Sequence, residues 1–262
     1  MKIFSYYNDI HPNNSTQNLE MINLWKISWE RNGFDPIVLK KDSAESSPIY
    51  EKFIKLIKKI HLNITGSEID KYSESCFTRW LAYANQQTEE YFLMSDYDVI
   101  NKNLKAKDII EAKNKLSFLN EFCPSLAYGN TKQVASFCED IINISSQNEF
   151  LIKKYSSKFN IKSFHDQDFL YLIFKIFEDL SFLSSQDIKD FCEKLNIVKD
   201  KYIILYQHEK RREISSFPAY HVANRSADEA KFKYSLLKGK DHEWIRILFM
   251  NLLLLEEADI IS

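Results

Sequence analysis

Residues Tyr91 to Met94 form an apolar run that ends, after Ser95, in two acids flanking a tyrosine, Asp96-Tyr97-Asp98, and resumes at Val99. A short apolar run between polar residues reads as a buried strand. Carboxylates at its exit stand where open α/β sheets bind ligands, beyond the carboxyl ends of their strands. On an extended chain alternate residues face the same way, so Asp96 and Asp98 are expected to point together. Two carboxylates in a small volume repel, and a divalent cation removes that cost. Oxygen ligands suit Mg²⁺ or Mn²⁺ better than zinc. A plain polar strand end is the alternative reading of the same residues.

The flanking sequence supports an alternation of strands and helices. Lys2 to Tyr7 reads as a strand, followed by a loop from Asn8 to Ser15 that has none of the glycines a phosphate loop needs. Leu19, Ile22, Trp25, Ile27 and Trp29 then predict a helix closed at Asn32-Gly33, and Pro36 to Leu39 a second strand. Ser47-Pro48 opens a helix with Ile49, Phe53, Leu56, Ile57 and Ile60 on one face. A further helix from about Ser73 to Gln87 places Arg79 on one face with Cys76 and Tyr83.

Further on, Lys115 to Leu119 reads as a strand, Lys132 to Ile142 as a helix and Gln167 to Phe177 as a helix apolar nearly all round. Tyr202 to Tyr206 returns to strand character, and a link containing Pro218 leads through His221 to a terminal helical region. The expected class is α/β with a mixed central sheet and a helical C-terminal region. No linker divides the chain, which reads as one domain over residues 1–262.

Composition excludes some partners. The 262 residues carry 35 basic and 37 acidic side chains, a net charge of -2, so there is no electrostatic footprint for nucleic acid. The basic stretches Lys52 to Lys59 and Lys210-Arg211-Arg212 read as solvated faces. Cys76, Cys123, Cys138 and Cys192 are widely spaced, without a Cys-x-x-Cys pair, and read as reduced thiols. The N-terminus has no long apolar region, so no transmembrane segment and a cytoplasmic location are expected. Ile245 to Leu255 is too short to cross a bilayer and contains Arg246 and Asn251. A helix buried in its own chain is the first reading there; peripheral membrane contact or a homodimer are the alternatives.

Together, Tyr72-Ser73-Glu74-Ser75-Cys76-Phe77-Thr78-Arg79-Trp80-Leu81-Ala82-Tyr83-Ala84 and Met94-Ser95-Asp96-Tyr97-Asp98-Val99 resemble nucleotide-sugar-dependent glycosyltransferases with a GT-A fold and a DxD motif. Trp25 to Trp29, Gly33 to Leu39 and Pro48-Ile49-Tyr50 resemble the first helix, second strand and following helix of that group. The chain departs from the pattern at Asn85 to Glu90, where the family tends to have glycines, and at Ile100-Asn101-Lys102, where a proline is common.

The resemblance implies a single GT-A-like, Rossmann-type domain. Residues 1–105 would form its nucleotide-sugar and metal half, and residues 106–262 its acceptor side with the C-terminal helices. Mn²⁺ or Mg²⁺ and a nucleotide-sugar donor would be bound, and the sugar would pass to a glycan or another hydroxyl-bearing acceptor. Asp98 is then the direct metal ligand, with Asp96 on the donor ribose or reaching the metal through water, and His221 is brought back to the metal late in the chain. Arg79, Tyr6 and His165 are candidates for the donor, Arg79 with the further option of steadying the acidic loop. In the cluster Phe164-His165-Asp166-Gln167-Asp168-Phe169, one acid serves as a helix N-cap, and Asp168, then Asp166, is the candidate to take the acceptor's proton. Two other functions fit the same residues: a metal-dependent phosphohydrolase or nucleotidyltransferase, and a non-catalytic sugar-binding or interaction protein on the same scaffold.

Overall fold

The computed structural model describes residues 1–10, 12–109, 115–180, 185–199, 201–207, 216–234, 237 and 239–256. His11 and His208 and the basic stretch Lys210-Arg211-Arg212 lie outside these. The chain begins with β1 (Lys2–Tyr6), α1 (Ser15–Glu30) and β2 (Asp35–Leu39). Gly33 follows α1 at φ 83°, a left-handed conformation that costs glycine no Cβ clash. Next come the short α2 (Lys41–Glu45), α3 (Tyr50–Thr65) and α4 (Lys71–Ala84). Asp70 caps α4 by accepting the Ser73 N–H at 2.9 Å.

The acidic segment follows β3 (Phe92–Ser95) and precedes β4 (Val99–Asn101). After it come β5 (Leu116–Phe118), β6 (Leu126–Gly129), α5 (Thr131–Gln147), α6 (Glu149–Lys158), α7 (Asp166–Asp179) and α8 (Gln186–Lys194). The last elements are β7 (Leu195–Ile197), β8 (Ile203–Leu205), β9 (Ala219–His221), α9 (Asn224–Lys233) and α10 (His242–Glu256).

Six strands form one mixed sheet in the order β2-β1-β3-β6-β5-β7. The β1 strand lies parallel to both β2 and β3, whereas β6 runs antiparallel to β3 and to β5. Helices cover both faces, so the central strands are apolar on both sides. Phe4, Phe92 and Met94 pack with Phe77, Trp80 and Phe137 on one face; Ile3 and Leu93 pack with Trp25, Trp29 and Tyr128 on the other. A second, three-stranded sheet, β4-β9-β8, adjoins that second layer. This is the α/β, GT-A-like arrangement with a helical C-terminal region that the sequence led us to expect.

Three expectations need correction. The Asp96-Tyr97-Asp98 segment is not an extended strand: β3 stops at Ser95, and the Val99 N–H closes a turn by donating to the Asp96 carbonyl at 3.1 Å. The α3 helix begins at Tyr50, because Ser47 to Ile49 form a preceding turn in which the Tyr50 N–H donates to the Ser47 carbonyl at 3.0 Å. Strands β4, β6, β7 and β9 and helices α2, α6 and α8 are elements the sequence reading lacks. The strands have three or four residues each, too few to display a period.

The C-terminal stretch is a helix buried in its own chain. Ile245, Phe249, Met250, Leu253 and Leu254 of α10 belong to the second layer, and α10 packs on α1. Among the described residues no helix is long and apolar enough to cross a membrane. All four cysteines are free; Cys138 and Cys192 are buried, whereas Cys76 and Cys123 are half-buried and line the cavity described next.

Candidate active site

A cavity of about 370 Å³ opens beyond the carboxyl ends of β1 and β3. Its centre is built on the turn after β3. Pairing of β4 with β9 is antiparallel and sets Val99 opposite His221, and the Val222 N–H donates to the Asp98 carbonyl at 2.9 Å. Register alone therefore carries His221 to Asp98, whose Oδ1 lies 3.5 Å from the imidazole Nε2. Asp96, Asp98 and His221 each offer a ligand atom, and these atoms all lie within 4.8 Å of one another, a cluster able to hold a metal ion.

Each carboxylate of the pair is fixed by its own arginine. Arg79, from α4, donates through Nη1 to Asp96 Oδ1, and through Nε and Nη2 to Asp166 Oδ2 at 2.9 and 2.6 Å. Trp80 Nε1 donates to the same Asp166 oxygen at 2.7 Å. From α10, Arg246 donates through Nη2 to Asp98 Oδ2, through Nε to the Val222 carbonyl at 2.9 Å and through Nη1 to Asn224 Oδ1 at 3.0 Å. Both guanidinium groups are buried, and each forks across two chain segments as only arginine's planar donors can.

One oxygen of the pair is left over. Asp98 is 8% exposed, and its Oδ1 is buried without a hydrogen bond, facing His221 Nε2 at the ion-pair distance of 3.5 Å. A buried carboxylate oxygen is costly unless a cation faces it, a role that the protonated imidazole fills and that a metal ion would take over once the imidazole gives up its proton. The donor set, two carboxylates and an imidazole, fits a divalent cation of the Mn²⁺ or Mg²⁺ kind, and this oxygen points to where it would bind.

The electrostatics separate the two acids. Burial raises the Asp98 carboxyl, but facing His221 and Arg246 outweigh it and hold its pKa at about 2. Asp96 moves the other way: burial and the neighbouring Asp98 charge raise it against the pull of Arg79. Burial lowers the His221 imidazole, yet the Asp98 carboxylate beside it brings the net pKa well above its usual value. Asp98 therefore contributes stability that is full above the unfolded carboxylate value and is lost as pH falls toward 2. His221 contributes stability that is full below the unfolded imidazole value and is lost as pH rises through its folded pKa. Since a metal takes the neutral imidazole, Mn²⁺ affinity is expected to climb by about tenfold per pH unit from about pH 6 upward, as long as the pH stays below the raised imidazole value. Calorimetric titration checks this; an affinity flat across that range would remove His221 from the ligand set.

Most of the residues singled out in the sequence meet here: Tyr6, Arg79, Asp96, Asp98, His165, Asp166 and His221 all line the cavity. Tyr6 accepts a hydrogen bond from Thr78 Oγ1 at 3.3 Å. Asp166 is 1% exposed and serves as the anchor of Arg79 and Trp80, with its Oδ1 accepting the Gln167 N–H. Asp168, the first candidate for proton transfer, does not line the cavity. Its carboxylate turns back to the His165 N–H at 3.1 Å and completes the capping box of α7. Helix capping thus accounts for Asp168 and ion pairing for Asp166.

Arg246, Arg225 and Glu243 are among the cavity residues that the sequence did not single out as site residues. A signal existed for Arg246, because a lone arginine inside an apolar helix that is buried needs a buried acid as partner.

No family model matches the chain, and no curated protein matches it. Among solved structures the chain is similar to the apo form of mouse xyloside xylosyltransferase 1, at 8% identity over 84% of this chain and 97% of that one, with a TM-score of 0.47. It is similar to the glycosyltransferase GlyE of Streptococcus pneumoniae TIGR4, at 14% identity over 97% of this chain and 63% of that one, TM-score 0.46. A third is a glycosyltransferase involved in the glycosylation of the major capsid of PBCV-1, at 12% identity over 96% and 98% of the two chains, TM-score 0.46.

Proposed function

We propose that this protein is a metal-dependent glycosyltransferase that moves a sugar from a nucleoside-diphosphate donor to a hydroxyl of a glycan acceptor. The observation that carries this reading is the convergence of Asp96, Asp98 and His221 on one cavity, with a buried Asp98 oxygen that accepts no hydrogen bond. The resemblance of residues 72–84 and 94–99 to the DxD transferases supports it.

In this reading Asp98, Asp96 and His221 would hold the cation, which would supply positive charge against the departing diphosphate. Arg246 and Arg79 each orient one carboxylate of the pair and restrain it from turning away. Tyr6 and His165 line the same cavity and contact the donor, and residues 1–105 supply half of the residues that line it. Residues 106–262 contribute His221, Arg246 and the acceptor side. Because the acids and arginines are fixed before substrate arrives, little reorganisation is required when charge develops on the leaving group.

The test is a panel of nucleotide sugars incubated with the protein and Mn²⁺ or Mg²⁺, scored for free nucleoside diphosphate and for glycosylated acceptor. Metal-dependent diphosphate release from one donor is the expected result. Release of inorganic phosphate without sugar transfer would favour a phosphohydrolase, and donor binding without turnover a non-catalytic sugar-binding protein.

A further inference from the structure

Among the described residues four carboxylates line the cavity: Asp96, Asp98, Asp166 and Glu243. Arginines hold three of them, Arg79 pairing with Asp96 and Asp166 and Arg246 with Asp98. The fourth, Glu243, is half-buried and makes no ion pair or hydrogen bond among the described residues. It occupies the first turn of α10, three residues before Arg246, and so shares with it the helix face turned to the cavity. An acid in a first helical turn is favoured by the helix dipole, which explains the residue type. The dipole does not explain why this side chain faces a cavity whose other acids are all neutralised.

We infer that Glu243 is the group that receives the proton of the attacking acceptor hydroxyl. The inference rests on the transferase reading and fills the role that Asp168 and Asp166 leave open. A proton acceptor must reach the hydroxyl and have an oxygen free to bind the proton. Asp166 Oδ2 already accepts three donors, and Asp168 is spent on the cap of α7. Asp96 and Asp98 are committed to the cation. Glu243 alone among the four has neither an ion pair nor a hydrogen bond among the described residues.

The step balances as follows. The acceptor O–H bond breaks and its proton passes to a Glu243 carboxylate oxygen, while the hydroxyl oxygen bonds to the anomeric carbon. The bond from that carbon to the diphosphate oxygen breaks, its electron pair leaving with the diphosphate. Glu243 returns its proton to water once the product has gone.

The experiment compares the unaltered protein with Glu243→Gln and Glu243→Asp, using the donor and acceptor identified in the panel. Glu243→Gln is expected to lower kcat for transfer by about 10²- to 10⁴-fold at saturating Mn²⁺ and donor. Glu243→Asp is expected to restore part of the rate. Calorimetric affinities for Mn²⁺ and for the nucleoside diphosphate are expected to be unchanged in both variants, which also shows that they are folded. Transfer by Glu243→Gln within about threefold of the unaltered rate at saturating Mn²⁺ and donor would overturn the assignment. So would a parallel loss of diphosphate binding, which would place Glu243 on the donor side. If the unaltered protein transfers sugar to no acceptor, the transferase reading falls and this inference with it; if it transfers and Glu243→Gln matches it, only the inference falls.

Discussion

Asp98→Asn is expected to abolish Mn²⁺ binding and to reduce metal-dependent donor turnover by about 10³-fold, the rate equivalent of about 4 kcal/mol. The substitution keeps the side-chain shape and an oxygen that can accept from Arg246, so what it removes is charge. That charge is what holds the local balance together. The carboxylate faces His221 on one side and Arg246 on the other, and these two cations keep its pKa at about 2. Without it, the buried Arg246 guanidinium keeps Asn224 and the Val222 carbonyl as acceptors but loses its ion-pair partner among the described residues.

An uncompensated buried charge costs about 3–5 kcal/mol, so the variant is also expected to melt earlier. Asp96→Asn provides the contrast. The Asp96 side chain is 30% exposed and Arg79 retains Asp166, so its loss is expected to weaken the metal with a smaller effect on stability. Mn²⁺ titration followed by electron paramagnetic resonance, together with thermal melts, separates the two effects. Unchanged Mn²⁺ binding by Asp98→Asn would remove the acidic pair from the proposed metal site.

The residues that were legible in the sequence are those whose chemistry is local. Two acids after an apolar run could be read as a pair, although the reason for their convergence is a turn and not strand alternation. The burial of Ile245 to Leu254 followed from an apolar helix too short for a bilayer. Arg246 was not legible as a site residue, because its partner lies 148 positions away and only the β4–β9 pairing and the docking of α10 bring them together. His165 and Asp168 have the three-residue spacing of a capping box, a local pattern that fits the cap better than proton transfer. The strands of the second sheet have three residues each, so that, although Tyr202 to Tyr206 was read as a strand, neither β4 and β9 nor the register of the sheet could be derived from periodicity. It is this register that delivers His221, a histidine the family resemblance singled out and the residue pattern did not.

Asp166→Ala is expected to be among the most destabilising single substitutions in the chain. It strips Arg79 of two hydrogen bonds and its most buried counter-ion, and leaves the Trp80 Nε1 donor unpaired. Breaking such a pair costs about 3–5 kcal/mol, a fall in Tm of about 10 °C for a chain of this size. Asp166→Asn separates the contributions, since an amide oxygen still accepts from Trp80 while the charge is gone. It is expected to lose the ion-pair part and keep the hydrogen-bond part. The double variant Arg79→Met/Asp166→Leu removes both charges and offers apolar volume in their place, so most of the lost stability is expected to return.

Stability and metal binding then part company in that double variant. Asp96 loses the stronger of the two cations, Arg79 and His221, that oppose its burial, and its pKa, already raised, is expected to move further up. The refolded double variant is therefore expected to bind Mn²⁺ more weakly near neutral pH than the unaltered protein and to recover affinity as pH rises. If it melts near the unaltered temperature and binds Mn²⁺ with unaltered affinity, then Arg79 serves the fold alone. If stability returns while affinity does not, the Asp166-Arg79-Asp96 chain is what couples the buried start of α7 to the metal-binding turn.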